Sequence, residues 1–593
     1  MLTNNRTRRM ASRGFKPRVE VLEGRTLPST FTVLNLADSG AGSLRQAVLD
    51  ANINPGSDAI TFAHEQPGTI ALTSGELSIA DHLRIDGPGA ELLAVSGGQQ
   101  SRIFRINSGV TVSIAGLTIT EGRVVGASAD GGGILNSGGT LTLDRVILSH
   151  NQVAGTGSGQ ARGGAMANLS GATLTVIDSL FTQNRAVGGV GSMGIGGGIF
   201  NLTSALTVVG STFADNQAVG GGSGGGAGGG GLTSMTGSTA TITDSTFVGN
   251  QAVAGDGGTG VGFGRGGGIM NFASFMIVEN SSILDNVARG GSGLTRPAPR
   301  VGFASGGGIF TADSATLFLT GSVVRGNRAV GGSDNTCTGG NGFVGNAQGG
   351  GLTNVGVATL TDCLVVDNEA RGGNNNRGDA VGHQFVGTGF GGGIATTAGD
   401  PTGTPTRLTL QNVTVRHNRA VGGDGNSAGT VVNAGIGGGI ATNGSNNNAP
   451  QSSSNITTIQ NCTVAHNLAI GGRGGDAMGG GVANVLGGVV IVSGSTLSHN
   501  CALGGDGGHG FGGAIYNGAA SDHPSNPGAP TVLHVEQSVI THNKAQDRTA
   551  GVGDGDGIGG GVYDLGFLDV DVFTLIDKNK ATTSHDDLFD LDV

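Results

Sequence analysis

A six-residue unit, Gly-Gly-(Gly/Ala)-apolar-x-(Asn/Thr/Ser/Asp), occurs twelve times in the 593 residues of this chain. It starts at Gly131, Gly163, Gly196, Gly229, Gly266, Gly306, Gly349, Gly391, Gly437, Gly479, Gly512 and Gly559. Self-similarity of this kind limits the chain to a solenoid, a propeller or a related array. The spacing drifts between 32 and 47 residues, and a second unit accounts for the drift. Each cluster is followed by an alternating segment and then by Ser/Val-x-apolar-x-x-Asn, as in "LTVVGSTFADNQAVGG" and "LTLQNVTVRHNRAVGG". From cluster start to Asn is 19 to 21 residues in nine of the twelve units. The units at Gly391, Gly437 and Gly512 are longer, because of polar inserts such as "TTAGDPTGTPT" and "NGSNNNAPQSSS". The repeating core is therefore about 20 residues, and loops absorb the rest.

Within that core apolar and polar residues alternate, as at Leu206, Val208 and Phe213. Period two predicts strands, here at 199–201, 206–209 and 212–214. Three short strands per unit fit one coil of a parallel β-helix. A propeller blade needs about 40 to 50 residues and four longer strands, and fits less well. The Asn ends a strand at a bend, where Asn tolerates turn or left-handed geometry. In stacked coils the twelve Asn form a column about 4.8 Å apart, close enough for neighbouring amides to hydrogen-bond. The glycine cluster fits a tight corner or a close backbone approach. The expected fold class is all-β, a right-handed parallel β-helix of the pectate-lyase type with a short N-terminal capping helix.

Composition agrees. Gly supplies 121 residues, roughly three times the usual share. Each Gly inside a helix costs about 1 kcal/mol relative to Ala, which excludes a mainly helical protein. With 13 Pro and no Gly at every third position, collagen is excluded as well. The net charge of −11 argues against general nucleic-acid binding. No run of 18 apolar residues is present, so no membrane-spanning helix is expected. Cys337, Cys363, Cys462 and Cys501 form no C-x-x-C pair and predict neither a disulfide scaffold nor a zinc site.

The repeats "GGGIFN…STFADN" and "GGAIYN…SVITHN" resemble those of chlamydial polymorphic membrane proteins and of bacterial β-helix surface proteins, over residues 131–579. The resemblance implies a pectate-lyase-like right-handed β-helix. It does not extend to the C-terminal β-barrel of the membrane proteins, which is not expected after Asn579. Residues 31–62 resemble the CSLREA-type region of bacterial β-helix proteins, with Gly42 at the family Cys and Gln46 at the Glu. The residues themselves support a helix there. Ser43-Leu44-Arg45-Gln46 is a capping box, Leu44, Ala47, Val48 and Ala51 make one apolar stripe, and Asn52 with Pro55-Gly56 ends it. A cap is needed because a first coil exposes strand edges. Near the N-terminus seven Arg and Lys lie within 6–25, and no apolar stretch of a secretory signal follows them. "FKPRVEVLEGRTLPS" resembles the N-terminal LEPR-type motif of large planctomycete surface proteins, with Gly24 departing from it, and implies export or surface sorting.

The expected organisation is a basic sorting segment (1–29), a cap with divergent early coils (30–120), the twelve-unit β-helix (121–580) and an acidic C-terminal tail (581–593). The last 29 residues, with Asp569, Asp571, Asp577, Asp586, Asp587, Asp590 and Asp592, are expected to close that end, and those acids to oppose end-to-end pairing.

No residue earns assignment as catalytic, cofactor-binding or metal-ligating. His150, His417, His466, His499 and His542 precede the ladder Asn and form a column. Because Gln183, Asp215, Gly249 or Lys578 fill the same slot elsewhere, it reads as a solvent-facing position. "GGRGGDAM" at 471–478 matches a single calcium-roll unit, and that chemistry needs tandem copies. With "GDGDG" at 553–557, it allows at most occasional Ca2+ in Gly/Asp loops. "GHG" at 508–510 is similar to one polygalacturonase motif, but its Asn-Thr-Asp and Arg-Ile-Lys companions do not occur. The loops from each Asn to the next cluster leave one corner of the coil and offer either a binding face or a solvated fringe. The expectation is an exported, non-enzymatic, adhesive or polysaccharide-contacting protein of the cell surface or matrix. Its expected partners are polysaccharide or neighbouring surface proteins. The alternative is a polysaccharide lyase or glycoside hydrolase on the same fold.

Overall fold

The computed structural model describes residues 29–590 except 64–66, 298–299, 340–341, 380–383, 398–405, 445–454, 519–530 and 549–554. The basic segment, its LEPR-like motif and most of the polar inserts lie outside the described residues.

Among the described residues every strand pairing is parallel and joins a segment to its equivalent in the adjacent coil. The coil that begins at Gly196 shows the plan. Ile199–Leu202 and Ala205–Val209 belong to a 29-stranded sheet, Thr212–Ala214 to a 15-stranded sheet, and Gln217–Val219 with Ala227–Gly228 to a 23-stranded sheet. The molecule is a parallel β-helix, wound in the right-handed sense that parallel crossovers adopt. The three predicted strands are present. Two more per coil fall in what the sequence presents as loop, so the segment after each Asn begins and ends as strand. The loops themselves also pair where they are long. Arg300–Val301, Gly342–Val344, Gln384–Val386 and Val431–Val432 make a small parallel sheet of their own.

Inside, Ile199, Leu206, Val208 and Phe213 are buried, and their equivalents continue the core along the coils, with Thr457 in the Leu206 column the buried polar member. Phe181, Phe213 and Phe247 stack at 4.7 and 4.6 Å. Beside this apolar core runs the asparagine ladder. The side-chain Nδ2 of each Asn donates to Oδ1 of the next, from Asn151 to Asn579, at 2.8–3.0 Å. The same Oδ1 accepts the backbone N–H of the Asn before it, as Asn250 Oδ1 does from Asn216. The last acceptor is a carboxylate: Asp587 Oδ1 takes both the N–H and the Nδ2 of Asn579, each at 3.0 Å. An acceptor-only side chain ends the ladder without leaving a buried donor unpaired. A second, interrupted ladder runs through the sixth position of the glycine unit. Asn136 donates to Asn168 and Asn168 to Asn201, while Asn484 donates to Asn517 and Asn517 to Asp564, again a carboxylate at the end.

The left-handed residue is not the Asn, as the sequence suggests, but the one before it. That slot has φ between 52° and 67° in all twelve units, from His150 to Lys578. Asn needs ordinary backbone so that its side chain points inward. The preceding residue absorbs the bend, which explains its Asp, His and Gly.

The glycine unit follows from contact with the next coil. Gly266 has φ 61°, and a Cβ on Gly267 would lie 2.3 Å from the carbonyl oxygen of Gly307. At Gly268 the nearest approach relaxes to 2.9 Å, and Ala occupies the equivalent position at Ala165 and Ala514.

At the N-terminal end α1 (Leu44–Ile53) buries Leu44, Ala47, Val48 and Ala51 over the first coil. Ser43 accepts from Gln46 N as the capping box predicts, but Gln46 does not reach back. Its Nε2 donates to Asp50 instead. The helix also runs past Asn52, which holds Ser78 and Ala80, and ends at Asn54. At the other end Leu588–Asp590, within the expected acidic tail, pairs with Val562–Asp564 as a further coil strand. Asp586 accepts from Ala581 N, so these acids are ladder and turn acceptors as well as surface charges.

Two expectations follow. Replacing Asn216 by Ala removes its own bonds and strands Asn184 and Asn250, so it should cost about 2–4 kcal/mol. Hydrogen exchange in the flanking coils should accelerate, whereas Asp215→Gly should leave exchange unchanged or slower. Gly267→Ala should destabilise by more than about 3 kcal/mol and Gly268→Ala by much less, as read from denaturant midpoints.

Candidate functional site

The outer surface has one corner where apolar side chains meet from two strands of the same coil. The residue before each glycine unit and the second residue after the triad both point outward. The glycine turn folds them against each other, as Ile195 against Phe200. The result is an apolar seam running from coil to coil. One stretch holds Ile195, Phe200, Met270 and Phe310, with Leu202, Met235 and Phe272 half-exposed at its edge. The next holds Phe390, Ile436, Ala441, Met478 and Tyr516, flanked by Phe385 and Val431 of the loop sheet. Loops that read as either binding face or fringe thus form a packed wall of this seam, with Leu294, Val301, Val344 and Val386 as their own small core.

At the C-terminal end the seam becomes aromatic. Tyr516 stacks on Tyr563 at 5.6 Å, and Tyr563 on Phe589 at 4.7 Å. Phe511 lies 4.8 Å from Tyr563, and His509 stacks on Phe511 at 5.5 Å. The chain has only two Tyr, and the register places both here, in adjacent coils. Tyr563 and Phe589 are half-exposed. His509 approaches Asp556 at 3.7 Å and accepts the Asp556 N–H at Nδ1. Nearby carboxylates are held in the ladders: Asp564 by Asn517 and Asp587 by Asn579.

Two arginines enter the seam from the same slot, Arg162 and Arg265, with Ile195 and Gly228 holding that slot in the two coils between them. Arg162 lies 5.5 Å from the Phe200 ring and forms a two-pronged pair with Asp130, the residue before it in the column, at 2.6 and 2.8 Å. Arg265 lies over Phe263, Phe303 and Phe310 at 4.3, 5.2 and 5.0 Å. Burial first, and then the nearby Arg300, bring its guanidinium down to about 10, against a weaker opposite pull from Asp313.

The histidine column is real and lies elsewhere on the coil, in the left-handed slot. His417, His466, His499 and His542 are exposed and stack at 5.2, 4.8 and 5.1 Å. His150 stands apart, at the opposite end of the column. Desolvation, followed by His499, His417 and Arg416, lowers the pKa of His466. Among the described residues no three His, Cys, Asp or Glu side chains are grouped to hold a metal ion. In the "GGRGGDAM" loop, Asp476 accepts the His509 N–H and Arg473 N–H donates to Asp424, so the loop is stitched to its neighbours. Of "GDGDG", 553–554 lie outside the described residues. The four cysteines are free thiols, and burial raises Cys363, Cys462 and Cys501, the last to about 11. Cys363 and Cys462 fill the slot that Ser211, Ser245 and Ser281 occupy in other coils, where it supports a neighbouring backbone N–H. Among the described residues no helix is long and apolar enough to cross a membrane.

No family model matches the chain, and no curated protein matches it. Among solved structures it is similar to the catalytic unit of a GH87 α-1,3-glucanase from Streptomyces thermodiastaticus, with 12% identity over 86% of this chain and 68% of that one and a TM-score of 0.29. It is similar to the A-module of a mannuronan C-5 epimerase from Azotobacter vinelandii, with 9% identity, 92% and 98% coverage and a TM-score of 0.26. A PL6 alginate lyase gives 11% identity, 93% and 99% coverage and a TM-score of 0.21. Superpositions this loose carry no activity to the chain, whose fold stands on its own strand register.

The column generates a pH expectation. A histidine whose pKa is lower folded than unfolded takes up its proton more readily when unfolded, so stability is intact above about 6.5 and falls as pH drops below it. The melting temperature should fall between pH 7.5 and 5, and fall less in His466→Asn. A parallel loss in wild type and variant would mean that the column is not its source.

Proposed function

We propose that this chain is an exported, non-enzymatic β-helix of the cell surface or matrix that contacts polysaccharide along its outer seam. One observation carries this reading: the aromatic end of the seam repeats once per coil, through Tyr516, Tyr563 and Phe589. Coil spacing is about 4.8 Å, close to the length of one sugar unit in an extended chain. A polymer lying along the axis therefore meets half-exposed rings at Tyr563 and Phe589 in adjacent coils, while Tyr516 of the same repeat is buried. Exposed apolar surface rimmed by polar groups is the usual mark of a contact site. Asp564 and Asp587, two carboxylates close to the stripe, are bound within the ladders, which favours holding a polymer over cleaving it. Export and surface placement rest on the resemblance of the N-terminal segment and of the repeats.

A second reading, a polysaccharide lyase or hydrolase, is favoured by the His509–Asp556 pair beside Phe511. A positioned His with a carboxylate is the equipment of general acid–base chemistry.

Affinity electrophoresis across a polysaccharide panel separates the two. The expected result is retardation by at least one polymer and no release of reducing ends above a heat-killed control. Tyr563→Ala should weaken that binding about tenfold, or about 1.4 kcal/mol. Release of reducing ends that His509→Ala abolishes would establish the enzyme instead.

A further inference from the structure

Arg265 is an anomaly in the seam. Its Nε is buried with no hydrogen-bond partner. Among the described residues no carboxylate pairs with its guanidinium, and Asp313 reaches it only through the longer-range field. Buried charges are normally paired, because desolvation is otherwise uncompensated. Arg162 shows how this fold pairs one in the same slot: the preceding residue of the column is Asp130. For Arg265 the column neighbours are Gly228 and Ser305, and neither brings a charge. Around it the chain has assembled Phe263, Phe303 and Phe310, which hold the guanidinium in place by cation–π contact. A second cation, Arg300, stands exposed on the adjoining loop sheet, next to the same site. Arg265, on its apolar platform in one wall of the seam, lacks an anion.

The geometry points to Arg265, with Arg300, as a subsite for an anionic group carried on a sugar ring. Guanidinium forks match carboxylate and sulfate oxygens, and a planar Arg held on aromatic rings loses little freedom on binding. The flanking Phe263 ring and the half-exposed Phe272 and Met235 edge supply the apolar contact that a pyranose needs beside its charge. The inference rests on the seam being a polysaccharide-contacting surface, and assigns the polymer a negative charge.

Calorimetry with galacturonic acid hexamers, a sulfated galactan oligomer and a neutral galactan hexamer tests it. Wild type should bind the carboxylated or the sulfated oligomer at least tenfold more tightly than the neutral one. Which of the two binds tells the source of the anion. Arg265→Gln should remove that preference, bringing the charged oligomers to the affinity of the neutral one. Ser305→Asp places an internal carboxylate beside Arg265. It should raise the melting temperature and block the anionic oligomers, a result that misfolding would not produce. Equal binding of charged and neutral oligomers by wild type would overturn the subsite while leaving the seam. The same holds for a charge preference that survives Arg265→Gln. Binding of no oligomer, charged or neutral, would overturn the polysaccharide reading and the subsite with it.

Discussion

The structure depends on in-register parallel stacking of coils, and the buried asparagine ladder is what enforces the register. An amide placed in an apolar interior must find both a donor and an acceptor, or it costs more than it returns. Here each Asn side chain takes a backbone N–H and an amide from one neighbour and gives to the next. A coil displaced by one residue would turn Asn outward and leave the partners above and below unpaired. The apolar residues alone do not carry that penalty, since Leu, Val and Ile exchange within a core at modest cost. The ladder has a direction, from Asn151 to Asn579, and therefore needs an acceptor at its end. Asp587 supplies it, and Asp564 does the same for the second ladder.

This requirement propagates outward. An inward Asn on ordinary backbone forces the preceding residue into left-handed geometry. That residue points to solvent, and in four successive coils it is His, so a column of stacked imidazoles arises from a rule about the interior. The corner at the glycine unit has a similar origin. Backbones of adjacent coils approach so closely at Gly267 that no side chain fits, and the turn that results folds the outward residues of two strands against each other. The seam, the candidate contact surface, is thus a by-product of the tightest corner of the coil. The N-terminal helix answers a different need. It covers the first coil, and Asp38 ties it down: burial draws its carboxyl up, but hydrogen bonds from Ser74, Arg45 and Thr73 outweigh that and hold it at about 2.

Much of this was legible before folding. The offset from the glycine cluster to Asn identified the inward column, and alternation at Leu206, Val208 and Phe213 marked the strands that face the core. The strands after the Asn were not legible. Gln217–Val219 is three residues long and Ala227–Gly228 only two, too short for periodicity and without branched enrichment in the second. They are strands because identical segments lie above and below them. The partial capping box at Ser43 has a comparable explanation, since Gln46 finds Asp50 one turn along and takes that partner.

What the sequence by itself determined is the coil: its length, its inward faces, its ladder and the positions where only glycine fits. These depend on residues close together in the chain or repeated at a fixed offset. What only the tertiary structure decided is which outward residues become neighbours. Arg265 meets Phe303 and Phe310, and Tyr516 meets Tyr563, across loops of unequal length whose size the pairing ignores. The physical reason is that in-register stacking converts distance along the chain into one strand spacing, whatever the loop between contains. Chemistry on the outside of this molecule is therefore written coil against coil, and appears only when the coils are wound.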